Sequence, residues 1–185
     1  MEIIPTEIPE VRRVRPRRFG DDRGFFSETF RSEWFPGIDF VQDNHSLSAE
    51  QGTVRGLHFQ TPPFAQDKLV RVARGRILDV AVDIRVGSPT FGEHVTVELS
   101  ADNWEQLLVP RGFAHGFVTL EPNSEVLYKT SDVYSSEHDA GIRWNDPTLH
   151  IAWDVEEGAV SLSERDAGLP LLADLPDHFR YEGDG

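Results

Sequence analysis

Cysteine is missing from all 185 residues. Its absence excludes a disulfide framework, a thiolate metal site and a cysteine nucleophile, and it fits a reducing cytoplasm. The N-terminus, MEIIPTEIPE, lacks the basic start and apolar run of a secretory signal, and no later stretch approaches the length of a membrane span. The chain therefore reads as soluble, cytoplasmic and without a membrane partner. No linker, internal repeat or low-complexity segment interrupts it, so one domain over residues 1–185 with extended termini is expected. Positive charge is scarce in the second half. Residues 1–92 hold 13 Lys and Arg against 13 Asp and Glu, whereas residues 93–185 hold 5 against 19, which accounts for the whole formal charge of -14. A duplex-binding surface needs a net basic face, so nucleic acid is excluded as a partner. A small anionic ligand is not excluded, because a few arginines converging on a pocket can bind phosphate against an acidic background. The most basic run, Arg12, Arg13, Arg15, Arg17 and Arg18, reads as a solvated edge strand that charge protects from pairing.

Helical periodicity is almost absent too. In its place come short segments bounded by turn residues. Residues 19–30, FGDDRGFFSETF, read as a Gly-Asp-Asp-Arg-Gly turn feeding an aromatic strand, and residues 31–34 form at most one helical turn before Pro36-Gly37. A short strand is expected at 40–46. Segments 69–73 and 77–84 flank Arg74-Gly75-Arg76, a hairpin signal. In the second of these, Leu78, Val80, Val82 and Ile84 alternate with Asp79, Ala81 and Asp83, so one side faces a core. Residues 94–99 alternate again, and further strands are expected at 106–109, 116–120 and 125–130. Eight or more such strands predict an all-β fold, an antiparallel sandwich or barrel, of which the jelly roll is the common form with a ligand cavity. Short helices belong mainly to the C-terminal segment. There Ser163-Glu164-Arg165-Asp166 has the form of a helix start, with Leu169, Leu171, Leu172 and Leu175 following.

The densest chemistry lies in residues 52–68, GTVRGLHFQTPPFAQDK, which set a histidine, an arginine and a lysine among Gly, Pro and apolar residues. Strict alternation places Arg55, Leu57 and Phe59 on one strand face and Gly56, His58 and Gln60 on the other. His58 then has a small neighbour and an amide beside it, which leaves room for a ligand. A strand histidine bonded to a backbone carbonyl in the core is the plainer alternative. Residues 110–115 have the spacing P-x-G-x-x-H and end on His115. Together with Gly52 and His58 they resemble the two cupin motifs. Metal-binding cupins add a second histidine and a carboxylate in the first motif. Here Gln60 stands at the second histidine and no acid follows at the expected distance, so no metal is expected.

The runs FGDDRGFF, FVQDNHS, VRGLHFQ, KLVRVARG, LDVAVDIRVGSPTFG, LVPRGFAHGF, EVLYKTSDVY, GIRWNDP and LSERDAGLPLLADL, in that order, resemble the dTDP-4-dehydrorhamnose 3,5-epimerase family across nearly the whole chain. The resemblance implies a homodimeric cupin-type jelly roll that acts on a dTDP-sugar without cofactor or metal, on the route to dTDP-L-rhamnose and cell-surface polysaccharide. It converts dTDP-4-dehydro-6-deoxy-D-glucose to dTDP-4-dehydro-L-rhamnose. Such chemistry needs a base beside a carbon acid next to a ketone, a group for the enolate oxygen, and an acid on the far ring face. By resemblance His58 is the base and Asp166 the carboxylate that orients it, Lys68 meets the C4 oxygen, and Tyr128 delivers the proton. Taken alone, Asp166 would be a helix-capping acid, Lys68 an exposed lysine and Tyr128 an ordinary half-buried tyrosine.

Resemblance also assigns substrate contacts to Arg23, Phe26, Glu28, Gln42, Asn44, Arg55, Lys68, His115, Asp139 and Arg165, and thymine stacking to Tyr134. Asp139 stands where glutamate is frequent and Arg165 where lysine is frequent, and both keep their charge. Simple alternation sets Arg55 opposite His58, which requires an irregular strand. Three other readings stay open: epimerisation at C3 or C5 alone, a metal-dependent cupin enzyme, and a non-catalytic sugar-nucleotide binder.

Overall fold

The computed structural model describes residues 1–183, so the last two of the expected domain lie outside them. In chain order the strands are β1 (Glu2–Pro5), β2 (Arg12–Arg15), β3 (Arg18–Asp21), β4 (Gly24–Ser27), β5 (Gln42–Ser48), β6 (Val54–Gln60), β7 (Lys68–Arg74) and β8 (Arg76–Asp83). They continue with β9 (Arg85–Val86), β10 (His94–Ser100), β11 (Gln106–Val109), β12 (Phe113–Thr119), β13 (Ser124–Thr130), β14 (Asp139–Gly141) and β15 (Phe179–Arg180). The one α-helix among the described residues, α1 (Glu164–Ala167), and three short 3-10 turns complete the list.

Two antiparallel sheets face each other. One has six strands in the order β1-β2-β11-β7-β13-β5, the other five in the order β10-β8-β12-β6-β14. This is the all-β jelly roll expected from the alternating segments, of the cupin type that the resemblance implies. The period-two pattern is visible in β10, where Val95, Val97 and Leu99 are buried and Thr96 and Glu98 are exposed. Between the sheets, Val70, Val72, Leu107, Val109 and Val126 meet Ile77, Ala81, Val97, Leu99, Phe113 and Phe117. Each such side chain contributes about 1.5–3 kcal/mol when fully removed from water.

Strands β8 and β12 are buried on both faces, a feature that one-sided alternation did not anticipate. The reason lies in the C-terminal segment, which covers the outer face of the five-stranded sheet. Ile142, Trp144, Leu149 and Trp153 pack there on Leu78, Val80, Val82 and Val118, with Leu162, Leu172 and Leu175 joining from beyond. The helix within that segment is only one turn long. It stops at Gly168 ahead of Pro170, so the leucines from Leu169 onward pack from extended chain and a 3-10 turn instead of from a helix face.

Two further expectations are corrected. Arg74-Gly75-Arg76 does not close a hairpin: β7 pairs with β11 and β13, while β8 pairs with β10 and β12, so the chain passes from one sheet to the other at Gly75. A tight turn between alternating strands allows either outcome, and pairing with distant strands decides it. The arginine run also does not form an edge. β2 lies between β1 and β11, and Arg13 and Arg15 both pair with the buried Glu105. Their charge is used to neutralise an acid inside the sheet layer rather than to repel other strands.

Candidate active site

A cavity of about 730 Å³ opens between the two sheets. From the six-stranded sheet, β5 alternation presents Gln42, Asn44 and Ser46, β13 presents Tyr128 and Thr130, and β7 begins with Lys68. From the five-stranded sheet come Arg55 and His58 on β6, His115 and Phe117 on β12, and Asp139 on β14. The C-terminal segment closes one side with Ser163, Arg165 and Asp166.

Strand β6 solves the Arg55 problem by departing from alternation. His115 pairs with His58 and Phe117 pairs with Arg55, so three steps along β6 match two along β12. The extra residue is a bulge, and it turns Arg55 and His58 into the same cavity. Glycine is required at its centre: Gly56 has φ +120, and a Cβ there would lie 2.6 Å from the Gly116 Cα and 2.7 Å from the His115 carbonyl oxygen. Arg55 is then held by Nε donation to Ser48 Oγ at 3.1 Å and by Nη2 donation to the Leu47 carbonyl at 3.2 Å.

His58 and Asp166, 108 residues apart in sequence, meet with Nε2 and Oδ1 2.6 Å apart. Asp166 Oδ2 accepts from the Gly56 N–H at 3.3 Å. The helix cap is made by other atoms, since Ser163 Oγ accepts from the Asp166 backbone N–H at 3.0 Å. Burial by itself would raise the Asp166 carboxyl, but the His58 hydrogen bond and charge, the Gly56 N–H and Arg165 outweigh it and hold the group below the usual carboxylate range. The carboxylate is thus ionised and committed to His58, whose other ring nitrogen, Nδ1, is left for the cavity.

Lys68 donates from Nζ to the His58 carbonyl at 3.3 Å. Enclosure pushes its ammonium down to about 8, against the opposing pull of Asp139 and Asp79. Tyr128 stands on the opposite sheet from His58; burial raises its phenol, Arg55 lowers it and Asp139 raises it further, so it remains a proton donor at neutral pH. His115 Nε2 lies 2.5 Å from Asp79 Oδ1, and both residues are buried.

At the mouth, the exposed Tyr134 donates its O–H to Asp139 Oδ2 at 3.1 Å, and Arg165 Nη2 reaches the same oxygen at 2.7 Å. Gln42 Oε1 accepts from the Tyr134 N–H, and Gln60 Oε1 accepts from the Ser135 N–H. Gln60 also donates to the Phe64 and Val133 carbonyls, so its amide is spent on holding the loop that carries Tyr134.

The cavity therefore gathers the expected residues Gln42, Asn44, Arg55, His58, Lys68, His115, Tyr128, Tyr134, Asp139, Arg165 and Asp166. Arg23, Phe26 and Glu28 are not among them. Arg23 pairs with Asp21 in the β3–β4 hairpin, Phe26 is 71% exposed, and Glu28 pairs with Arg31. Two residues escaped the sequence reading. Ser46, whose buried Oγ has no partner among the described residues, faces the cavity two positions beyond Asn44, and strand alternation from Asn44 could have found it. Asp79 gives no such signal, because alternation in β8 marks the Leu78, Val80 and Val82 side as the core face and leaves the Asp79 side to solvent.

A profile of the dTDP-4-dehydrorhamnose 3,5-epimerase family matches residues 5–174. The Sinorhizobium fredii protein of that name is 55% identical over 178 residues, covering 94% of this chain and 91% of the relative. The Escherichia coli K12 protein of the same name is 50% identical over 180 residues, covering 95% of this chain and 96% of the relative. A crystal structure of dTDP-6-deoxy-D-glucose-3,5-epimerase from Legionella pneumophila, in complex with dTDP-4-keto-L-rhamnose, aligns with a TM-score of 0.94 at 43% identity, covering 98% of this chain and 99% of that one.

Proposed function

Since the chain belongs to the dTDP-4-dehydrorhamnose 3,5-epimerase family, we propose that it is an isomerase that inverts C3 and C5 of dTDP-4-dehydro-6-deoxy-D-glucose, with the cavity between the sheets as its active site. The observation that carries this reading is the His58–Asp166 pair at 2.6 Å on one wall with the Tyr128 phenol on the other. Inversion by proton transfer needs removal from one ring face and return to the opposite one.

His58 takes the proton from the carbon next to the C4 ketone through Nδ1, because Nε2 is engaged by Asp166. The ionised Asp166 stabilises the imidazolium that forms, and the pair of electrons left behind becomes an enolate. Lys68 sets a positive charge beside the developing C4 oxygen. Tyr128 then returns a proton to the carbon from the far side, after which His58 loses its proton and the tyrosinate regains one from solvent. Both C3 and C5 flank the same carbonyl, so one base and one enolate-stabilising group serve both. General-base help of about 10²–10⁴-fold corresponds to about 3–5 kcal/mol off the barrier.

For the nucleotide, the ring of Tyr134 offers a stacking face for thymine, the Gln42 and Asn44 amides fit base or sugar edges, and Arg55 and Arg165 suit the diphosphate. Asp139 orients Tyr134 and Arg165, and His115 faces the sugar. Arg23, Phe26 and Glu28 lie on or next to the β3–β4 hairpin and do not line this cavity. They are available to the cavity of a second copy, which supports a homodimer. Neither cofactor nor metal is needed: Gln60, at the position where a metal-binding cupin places a histidine, has its amide fully committed to backbone groups. A cytoplasmic site of action suits a nucleotide-sugar substrate, and no helix among the described residues is long and apolar enough to cross a membrane.

Proton NMR of the dTDP-4-dehydro-6-deoxyglucose reaction in deuterated water tests the reading. Deuterium is expected at both C3 and C5 with formation of dTDP-4-dehydro-L-rhamnose, before and after treatment with EDTA. Label at one carbon only would establish a single-carbon epimerase, no label would leave a binder, and activity lost to EDTA and restored by one divalent metal would establish a metalloenzyme.

A further inference from the structure

Among the described residues three carboxylate–imidazole pairs occur: His45–Glu125 at the surface, and two with a histidine on the cavity wall, of which the mechanism above uses one. The second joins Asp79 on β8 to His115 on β12, with Oδ1 and Nε2 2.5 Å apart. Register places His115 directly beside His58, so the two imidazoles stand on neighbouring strands, each with Nε2 turned to its acid. Asp79 is fully buried and its Oδ2 has no partner among the described residues. Folding alone gives no reason for a carboxylate there. The flanking same-face residues, Ile77 and Ala81, are apolar and fully buried, and an acid with one unsatisfied oxygen is disfavoured in such surroundings.

We infer that Asp79 is a positioning residue for the epimerisation: it locks the His115 ring so that Nδ1 faces the sugar. The inference rests on the proposed function. Asp79 does not line the cavity, so it acts through His115 and does not touch substrate. Lys68 shares the cavity with Arg55 and His58 on β6, His115 on β12, Tyr128 on β13, Tyr134, Asp139 on β14, and Arg165 and Asp166 of the C-terminal segment, and the charge of Asp79 on β8 also acts on it. Enclosure works against its charge, and Asp139 and Asp79 are the acids that restore part of it. Without the Asp79 charge, the lysine keeps only Asp139 on that account and loses its proton at lower pH.

The test is Asp79→Asn in the full-length chain, assayed on dTDP-4-dehydro-6-deoxyglucose across pH. The expected variant folds, keeps KM within about threefold, loses at least about tenfold in kcat, and shows the alkaline fall of kcat at lower pH than wild type. Combined with His115→Asn, the same change is expected to add less than its full single effect, because part of it passes through the imidazole. A folded variant with wild-type kcat and an unmoved alkaline limb overturns the inference, as does full additivity with no movement of the limb. If Asp79→Asn does not fold, the nitrogen-15 shifts of His115 in wild-type protein decide. A single tautomer protonated on Nε2, or an imidazolium, supports the lock, and exchange between both neutral tautomers overturns it. Wild-type protein without turnover refutes the proposed function itself, whereas wild-type turnover indifferent to Asp79→Asn refutes only the role of Asp79.

Discussion

Replacing Asp166 by asparagine separates its two competing roles, because the structure assigns the cap and the catalytic contact to different atoms. The cap runs from the Asp166 backbone N–H to Ser163 Oγ, so the substitution leaves it in place and removes none of the roughly 1 kcal/mol that such a cap contributes. What changes is the side chain, which now has one oxygen where two acceptor atoms served His58 and the Gly56 N–H. If the amide turns its oxygen to His58, its NH2 confronts the Gly56 N–H; if it turns the other way, it donates to Nε2 and forces the proton onto Nδ1, where the base must be free. Either arrangement also removes the negative charge opposite the imidazolium. A fall of about 10²–10⁴ in kcat is expected, equivalent to about 3–5 kcal/mol in the transition state. Stability should change by only about 1–2 kcal/mol, or roughly 2–8 °C in Tm for a chain of this size. The sign with pH follows from the depressed carboxyl: its contribution to folding is present above the ordinary carboxylate pKa and is lost as pH falls through the folded value. Wild type and variant should therefore converge in stability in acid. Circular-dichroism melts and proton NMR of deuterium uptake measure both quantities on one preparation. A variant that melts normally and keeps near-normal exchange would limit Asp166 to its backbone bond with Ser163 and leave His58 without its orienting acid.

His58→Asn should abolish deuterium entry at both C3 and C5, whereas Tyr128→Phe should still permit exchange while inversion slows; equal loss in the two variants would contradict separate roles. Because the Lys68 ammonium is depressed to about 8, kcat should decline as pH rises through that value, and Lys68→Ala should remove the decline along with about 10²–10³ of the rate. A pH profile flat to pH 10 in the wild type would contradict this use of the lysine. Gly56→Ala drives a Cβ into the backbone of His115 and Gly116 at a positive φ, so it should destabilise the fold by about 2–4 kcal/mol, and unchanged urea unfolding would disprove the tight crossing.

Alternation and turn residues are local properties, and they sufficed for the all-β class, for most strands and for the core face of β10, since a strand's two faces are written in every second residue. Residue types sufficed to mark 52–68 as the chemical centre. Local pattern does not report what covers a face. Alternation leaves the Asp79 side of β8 to solvent, whereas Ile77 and Ala81 on that side pack against the opposite sheet, and the Leu78, Val80 and Val82 side is covered by Trp144, Leu149 and Trp153, more than sixty residues further on.

From the sequence alone follow the strand pattern, the absence of any thiol chemistry, and the set of histidine, lysine, tyrosine and acidic side chains from which a proton-transfer site can be made. Tertiary structure alone decided which of them meet. The β6 bulge, visible only against β12, brings Arg55 to the side of His58, and the return of the C-terminal segment over the five-stranded sheet delivers Asp166 to a histidine 108 residues earlier. The same turn at Gly75 that local rules read as a hairpin carries the chain between sheets, because the hydrogen-bond partners of β7 and β8 lie in distant strands. Short-range preferences set the face each side chain points to, and long-range pairing sets what stands opposite.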